Sequence, residues 1–382
     1  MFRTQLVLPH RITPEQFDIF KAYLPYCAEG LVDFESLDHL KIEYTCKREQ
    51  DAPGIEDAAR KLLDTLRETG VPALIDKKVI FDNRSTAIQT HHEIYTDLLK
   101  DGHLIKFGEG QYGMGKTFLQ VFKYFERGCY QLALRQNPVE YVYPIMIPIH
   151  YLKQCGYFGE NPQSATFLST LDRSVPANFK EVQGGEFPFL KSQTEPEHVG
   201  KAAVCLHCYP HFENRVIAQP VTITTQGRCY RHESMDMKTN LWEFIMRESI
   251  YLGSAESVRE RLEEIRHLTE AWLTRLGVQF WIESADDPFF ASDPAVLKMT
   301  RLIRESKYEL RIGDSKTSLA AASFNFHGPH FSKAFNITDG KKYVATGCAG
   351  FGIERLTYAF LTQYGLQTER WPRHVQEEIN SR

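Results

Sequence analysis

The sequence predicts an α+β chain: a small N-terminal α/β domain over residues 1–90, then a larger domain over residues 91–382 built on a mostly antiparallel sheet flanked by helices. Three observations lead there. The 382 residues suffice for two or three domains, at about 150 residues each. The first ninety residues run strand, helix, strand, strand, helix, strand, the order of a ferredoxin-like sandwich. Beyond them, irregular segments separate the strands, where a parallel sheet would show a steady strand–helix alternation.

In chain order, Phe2 to Leu8 is a short apolar strand. Thr13-Pro14-Glu15 opens a helix, a capping residue followed by Pro at the first helical position. Gly30 to Glu35 and His39 to Cys46 read as strands, Ile55 to Thr69 as an amphipathic helix closed by Gly70, and Lys78 to Asp82 as the last strand of the small domain. In the larger domain Lys116 to Gln136 is a long helix and Val139 to Pro144 a strand. Residues 159–201, rich in Gly, Pro, Ser, Asn and Gln, read as an irregular surface insertion. Strands follow at Val216 to Thr225 and Phe244 to Ile250. Glu256 to Leu276 is an amphipathic helix started near Ser254 and stopped at Gly277; Asp293 to Lys307 is another, with Asp293 as its cap and Pro294 next. Tyr308 to Ile312, Ser318 to Phe326 and Tyr343 to Gly347 are strands, and Ile353 to Gln363 closes the series as a helix.

Composition narrows the function. Forty-five basic against 49 acidic residues leave a net charge of −4, whereas a general nucleic-acid or membrane coat shows a basic excess. The longest strongly apolar stretch, Tyr141 to Leu152, is broken by Pro144, Pro148 and His150, far short of the ~20 residues that span a bilayer. No membrane partner is expected. The opening MFRTQLVLPHRITPEQ holds no apolar run before a cleavage site. Without an export signal, the eight cysteines (27, 46, 129, 155, 205, 208, 229 and 348) read as reduced thiols. The expected address is cytoplasmic.

Gly110-Gln-Tyr-Gly-Met-Gly115-Lys116-Thr117 fits the phosphate-loop pattern at every position. Such a loop needs a buried parallel strand before it, and Gly102-His-Leu-Ile-Lys-Phe107 is short and polar-flanked. The segment reads instead as a Gly-rich turn feeding a helix.

Two distant segments carry the chemistry. Gly227-Arg-Cys-Tyr-Arg231-His-Glu233, a polar turn, and Leu241-Trp-Glu-Phe244-Ile-Met-Arg-Glu248 read as strand, loop, strand. Arg231, Glu233, Phe244 and Glu248 stand at alternate positions able to share one sheet face. Thr346-Gly-Cys348-Ala-Gly350-Phe-Gly352-Ile-Glu-Arg355 reads as a strand running into a helix through closely spaced glycines. Together they resemble motifs 2 and 3 of the class II aminoacyl-tRNA synthetases. The resemblance implies that family's fold, an ATP-binding antiparallel sheet. It also implies an ATP site of Arg231 on the α-phosphate and carboxylate, Glu233 beside it, Phe244 on adenine and Arg355 on the γ-phosphate. Arg231 and Arg355 are then the catalytic cations, with no general base. The chemistry asks for them, since a carboxylate attacking the α-phosphorus needs rigid cations on developing negative charge.

Over residues 141–377 the closer resemblance is to a seryl-synthetase-like subfamily, the amino acid:[carrier protein] ligases. It is carried by Tyr143-Pro144, Cys155-Gly-Tyr157, Cys208-Tyr-Pro210, Asp287-Pro-Phe-Phe290, Lys307-Tyr-Glu-Leu310 and Ser323-Phe-Asn-Phe-His327, together with both motifs. It implies a Zn2+ held by Cys208, Glu248 and Cys348, and activation of a small amino acid with ATP. It further implies transfer to the phosphopantetheine thiol of an acyl carrier protein. Two thiolates and a carboxylate leave one tetrahedral position open, as in functional zinc sites; a neutral substrate amine could take it. Cys205 reads as a packing residue. Ser323, Asn325 and His327 fall where the related synthetases line the amino-acid pocket, which implies a substrate-binding role. Arg311 replaces the Glu with which seryl synthetases bind Mg2+, so Mg2+ is expected as the companion of ATP. Asn240 likewise replaces an Arg of the subfamily's motif 2 loop.

Neither a coiled-coil arm nor an anticodon-binding domain is legible, and the acidic excess is unfavourable for tRNA. A carrier protein needs only a local basic patch, for which Lys298, Arg301 and Arg304 are candidates. A homodimer is expected through motif 1, at about residues 112–148. The alternatives are a seryl-type aminoacyl-tRNA synthetase and a non-catalytic paralogue that senses an amino acid.

Overall fold

The structure, a computed structural model, describes residues 2–8, 20, 24, 28, 30–38, 40–68, 78–84, 94–160, 164–172, 193–232, 241–285, 307–313 and 318–380. Two compact units emerge: Met1–Val79 with Glu283–Glu305, and Ile80–Ile282 with Ser306–Arg382. The capped helix expected at Thr13 and the helix expected over residues 293–307 lie outside the described residues, apart from Lys307.

In the first unit β1 (Phe2–Val7), β2 (Leu31–Asp38) and β3 (Lys41–Cys46) form an antiparallel sheet in the order β1-β3-β2. Helix α1 (Ala52–Glu68) supplies Ile55, Ala59 and Leu63, a spacing of four that puts all three on one stripe. They bury against Leu6, Ile42 and Tyr44.

The last strand expected there does form, as β4 (Val79–Asp82), but at the edge of the large sheet. Phe81 stacks on Phe280 at 5.0 Å between ring centroids. The Asn83 amide donates to Val278 O at 3.0 Å and accepts from Phe280 N–H at 2.8 Å. This local pairing outcompetes the sandwich register that strand order alone suggests.

In the second unit β5 (Leu104–Gly108) and β6 (Gln111–Met114) make a hairpin through Glu109 and Gly110, whose φ of +66° suits glycine. The phosphate-loop look-alike is therefore half strand, and its Lys116 ammonium donates to Asp101 O. Helix α2 (Lys116–Leu134) follows, with Gly115 at its N-cap. Short strands β7 (Val139–Glu140), β8 (Met146–Pro148), β9 (Thr166–Leu168) and β10 (His198–Gly200) come next. The last three pair as β8-β10-β9, so part of the segment expected to be irregular is a small sheet. Strands of three residues are too short to leave a periodic signal.

Strands β11 (Val221–Tyr230) and β12 (Glu243–Gly253) are the long antiparallel pair. The strand expected from Val216 starts only after Pro220, which has no N–H for a ladder; Val216 makes an isolated bridge to Thr338. Helix α3 (Ala255–Arg275) is capped by Ser254 Oγ, which accepts from Ser257 N–H at 3.1 Å. Strands β13 (Phe280–Ser284), β14 (Lys307–Ile312), β15 (Leu319–Gly328) and β16 (Ala345–Gly352) lead to helix α4 (Ile353–Tyr364).

The large sheet has the order β4-β13-β14-β15-β16-β12-β11-β7. One face packs against α2, α3 and α4 through Phe118, Phe125, Ile265, Trp272, Phe351 and Phe360. The other face presents Phe244, Glu248, Cys348, Ser323 and Asn325. Among the described residues no helix is long and apolar enough to cross a membrane.

Candidate active site

Partners directly opposite in an antiparallel ladder point to the same side, and alternate residues share a face. Glu248 stands opposite Thr225 on one side and Gly350 on the other. Cys348 stands opposite Ile250 and Asn325, and Ser323 opposite Gly350. One face therefore presents Phe244, Glu248, Cys348, Ser323 and Asn325. Gly350 keeps the middle open, since a Cβ there would fall 2.9 Å from Met246 Cε and 3.5 Å from Glu248 Cγ.

A 3-10 turn over Val204–His207 packs on this face and delivers Cys205. One ligand atom from each of Cys205, Glu248 and Cys348 lies within 4.8 Å of the others, and all three residues are buried. Val204 N–H donates to Glu248 Oε1 at 3.2 Å, while Glu248 Oε2 is buried with no partner. Burial, with Cys348 adding, pushes the Glu248 carboxyl up to about 8. The two thiols share a hydrogen bond that raises Cys205 and lowers Cys348, and His327 lowers Cys348 further. An orphaned carboxylate oxygen beside two thiols fits a thiophilic divalent cation such as zinc, with one coordination position left over.

The sequence reading put Cys208 in this trio; the structure brings Cys205 instead. Cys208 is fully buried and its thiol bonds the Tyr143 hydroxyl, which is also 2.9 Å from His211 Nδ1. Residues three apart in a 3-10 turn lie on the same side, so spacing cannot choose between the two thiols.

Of the residues expected to line a substrate pocket, Asn325 and His327 touch the cluster. Asn325 Nδ2 donates to Ser323 Oγ at 3.0 Å and to Cys348 Sγ at 3.5 Å. His327 Nε2 lies 3.6 Å from Cys348 Sγ. Arg231 and Phe244 also come together: the guanidinium lies 5.3 Å from the ring centroid, and Arg231 Nε donates to Ala202 O at 2.9 Å. Arg231 is close enough to Glu248 to draw its pKa down. Arg355, just inside α4, donates to Ala320 O at 2.8 Å. Glu233 lies outside the described residues. Glu309, opposite Ser323, is ion-paired with Arg311 at 2.9 Å and Lys307 at 3.5 Å.

One residue escaped sequence reading. Lys201 is fully buried, its ammonium donates to Tyr143 O at 3.4 Å, and burial lowers its pKa. Its only signal was a charged residue beside the apolar run Ala202 to Leu206.

Residues 192–364 match the family model described as the tRNA synthetase class II core domain (G, H, P, S and T). The chain is 27% identical over 293 residues to the type-2 serine–tRNA ligase of Methanococcus aeolicus, covering 71% of this chain and 56% of that one. It is 30% identical over 243 residues to amino acid–[acyl-carrier-protein] ligase 1 of Bradyrhizobium diazoefficiens, covering 62% of this chain and 74% of that one. The fold resembles the M. kandleri seryl-tRNA synthetase solved in complex with A. aeolicus tRNASec, at a TM-score of 0.74 and 19% identity, covering 99% of this chain and 77% of that one. The chain spans 56 to 63% of the length of the first serine–tRNA ligases it matches. By its core, its motifs and these relatives, the chain belongs to the class II aminoacyl-tRNA synthetase family, as a homologue of the atypical seryl type.

Proposed function

We propose that the chain is a cytoplasmic, ATP-dependent ligase that activates a small amino acid and passes it to the phosphopantetheine thiol of a carrier protein. The observation that carries the reading is the one-sided sheet: Glu248, Cys348 and Phe244 share one face of neighbouring strands, and Cys205 from the turn packed on that face and Arg231 from the end of β11 meet them there. In the first step a substrate carboxylate oxygen attacks the α-phosphorus of ATP, which arrives with Mg2+, and pyrophosphate leaves. Arg231 offers a planar fork suited to both phosphate and carboxylate, Phe244 a flat face for adenine, and Arg355 a cation for the γ-phosphate. These groups stabilise developing charge where it forms. In the second step the pantetheine sulfur attacks the acyl carbon and AMP leaves. Zinc held by Cys205, Glu248 and Cys348 would supply a Lewis-acid position for the neutral amine.

The carrier reading is supported by the Bradyrhizobium ligase, the relative at 30% identity, and by the net charge of −4, which disfavours an RNA surface. A second reading, transfer to tRNA, is favoured by the likeness that spans 99% of the chain to a synthetase solved with tRNA. A homodimer is supported by the exposed apolar run Val139, Val142, Ile145 and Met146, with Val142 86% exposed.

Amino-acid-dependent ATP–pyrophosphate exchange over a panel of small amino acids, with zinc analysis of the same sample, tests the activation step. Exchange with one or a few amino acids and one zinc per chain is expected; no exchange with any would end the proposal. Labelled amino acid should then appear on holo-carrier protein. Label on RNA, with the carrier blank, would favour the second reading.

A further inference from the structure

We infer that Asn325 and His327 are positioning residues for Cys348: their N–H groups form a two-donor cradle for its sulfur, and the Tyr209 hydroxyl sets the histidine tautomer. The inference rests on the metal reading above and reassigns two residues that the family resemblance places in a substrate pocket.

The amide of Asn325 has two hydrogens: one goes to Ser323 Oγ at 3.0 Å, and the other points at Cys348, whose Sγ and backbone O both lie 3.5 Å from Nδ2 and share it. His327 is held on both ring nitrogens. Nδ1 lies 3.3 Å from Tyr209 OH and 3.3 Å from Thr346 Oγ1, and Nε2 lies 3.6 Å from Cys348 Sγ. Tyr209 is fully buried and stacks flat on Phe331 at 4.0 Å, while Phe331 meets the His327 ring edge-on at 5.1 Å.

A buried phenol needs an acceptor for its hydrogen. Thr346 Oγ1 has another one in Gly328 O at 3.4 Å, so His327 Nδ1 is left to Tyr209. With Nδ1 accepting, the neutral ring carries its hydrogen on Nε2, which donates to Cys348. The opposite tautomer strands the buried Tyr209 hydrogen and sets a nitrogen lone pair against sulfur lone pairs. Partners of this kind orient a ligating thiolate and stabilise its charge before any ion arrives.

The test uses the full chain with Zn2+ and Co2+ as probes. Zinc affinity is read by chelator competition, and the thiolate-to-cobalt charge-transfer band by absorbance. Because an N–H donor stabilises the sulfur lone pair, its loss moves that band to lower energy, which a merely structural role would not do. His327→Leu should weaken zinc binding about 10–100-fold, the usual effect of losing such a partner, and shift the band. His327→Gln, which restores an N–H, should recover most of both. Tyr209→Phe keeps the stack on Phe331 and should give a smaller loss and shift of the same sign. A folded His327→Leu protein with an unshifted band and wild-type affinity overturns the inference. If that variant does not fold, Tyr209→Phe decides, and an unchanged band and affinity there overturn it. A wild type that takes up neither metal refutes the metal reading itself, and this inference with it.

Discussion

Arg247 and Glu248 are consecutive residues of β12, one basic and one acidic, both buried and on opposite faces. Arg247 is enclosed by partners: Nε and Nη2 donate to Glu126 Oε1 at 2.9 and 2.6 Å, Nη1 to Glu140 at 3.3 Å and Thr224 at 3.4 Å, with the Tyr130 ring 4.5 Å away. Glu248 has one backbone donor on Oε1 and the Cys205 thiol as its hydrogen-bonding side-chain neighbour, with Oε2 buried and geometrically unmatched. A polar group that serves folding is satisfied within the chain. One left half-satisfied beside two thiols is the kind of group that a bound ion would complete.

That contrast can be broken by exchange of single side chains. Glu248→Gln should lower amino-acid-dependent pyrophosphate exchange about 10³-fold and abolish zinc retention, at the top of the range for one charge-stabilising group. The same change should leave the stability of metal-free protein nearly unchanged below about pH 4.5, where both side chains are neutral, and raise it at neutral pH, because a carboxyl raised to about 8 must take up a proton to fold and Gln need not. Denaturant unfolding beside the exchange assay reads both. Arg247→Met should do the reverse: about 1–2 kcal/mol of stability lost through the buried hydrogen bonds to Glu126 and Thr224, with exchange per folded molecule kept. Equal losses in both assays for either variant would erase the distinction.

pH sharpens it further. Glu248 binds its proton more tightly folded than unfolded, so its contribution to metal-free stability is full below about 4.5 and declines as pH rises toward about 8. The stability of wild type minus that of Glu248→Gln should therefore fall across this window and level off above it. A flat difference in urea melts would show a carboxyl already ionised when folded. The smallest effect is expected at Gly350→Ala, where the new methyl meets the mobile end of Met246. About 1 kcal/mol should be lost, with zinc affinity reduced more than the melting temperature suggests.

Much of the architecture was legible because its signals are local. Ser254 and Gly277 bracket α3 as capping chemistry dictates, and Gly347, Gly350 and Gly352 mark the strand that enters α4. The alternation Phe244, Met246, Glu248 announces one face of β12. What escaped depends on partners distant in sequence. Cys205 and Cys208 are equivalent by spacing; both lie near Glu248 and Cys348, but only the Cys205 sulfur joins them within 4.8 Å, while the Cys208 thiol bonds Tyr143. Asn325 and His327 read as pocket wall until the β15–β16 register sets Asn325 opposite Cys348. The strand β4 was found, but its partner β13 lies about two hundred residues on. Lys201 gave no periodic sign at all.

The order of strands has a consequence for biosynthesis. Strand β16 inserts between β15 and β12, almost a hundred residues after β12 has left the ribosome. Until residues 345–352 emerge, the β11–β12 ribbon carries an open edge of unpaired amides and carbonyls, the kind of surface that chaperones shield and that aggregates when they do not. A nascent chain stopped at residue 344 would hold Cys205 and Glu248 without their third companion, so the three-donor cluster is complete only when the last strand closes the sheet.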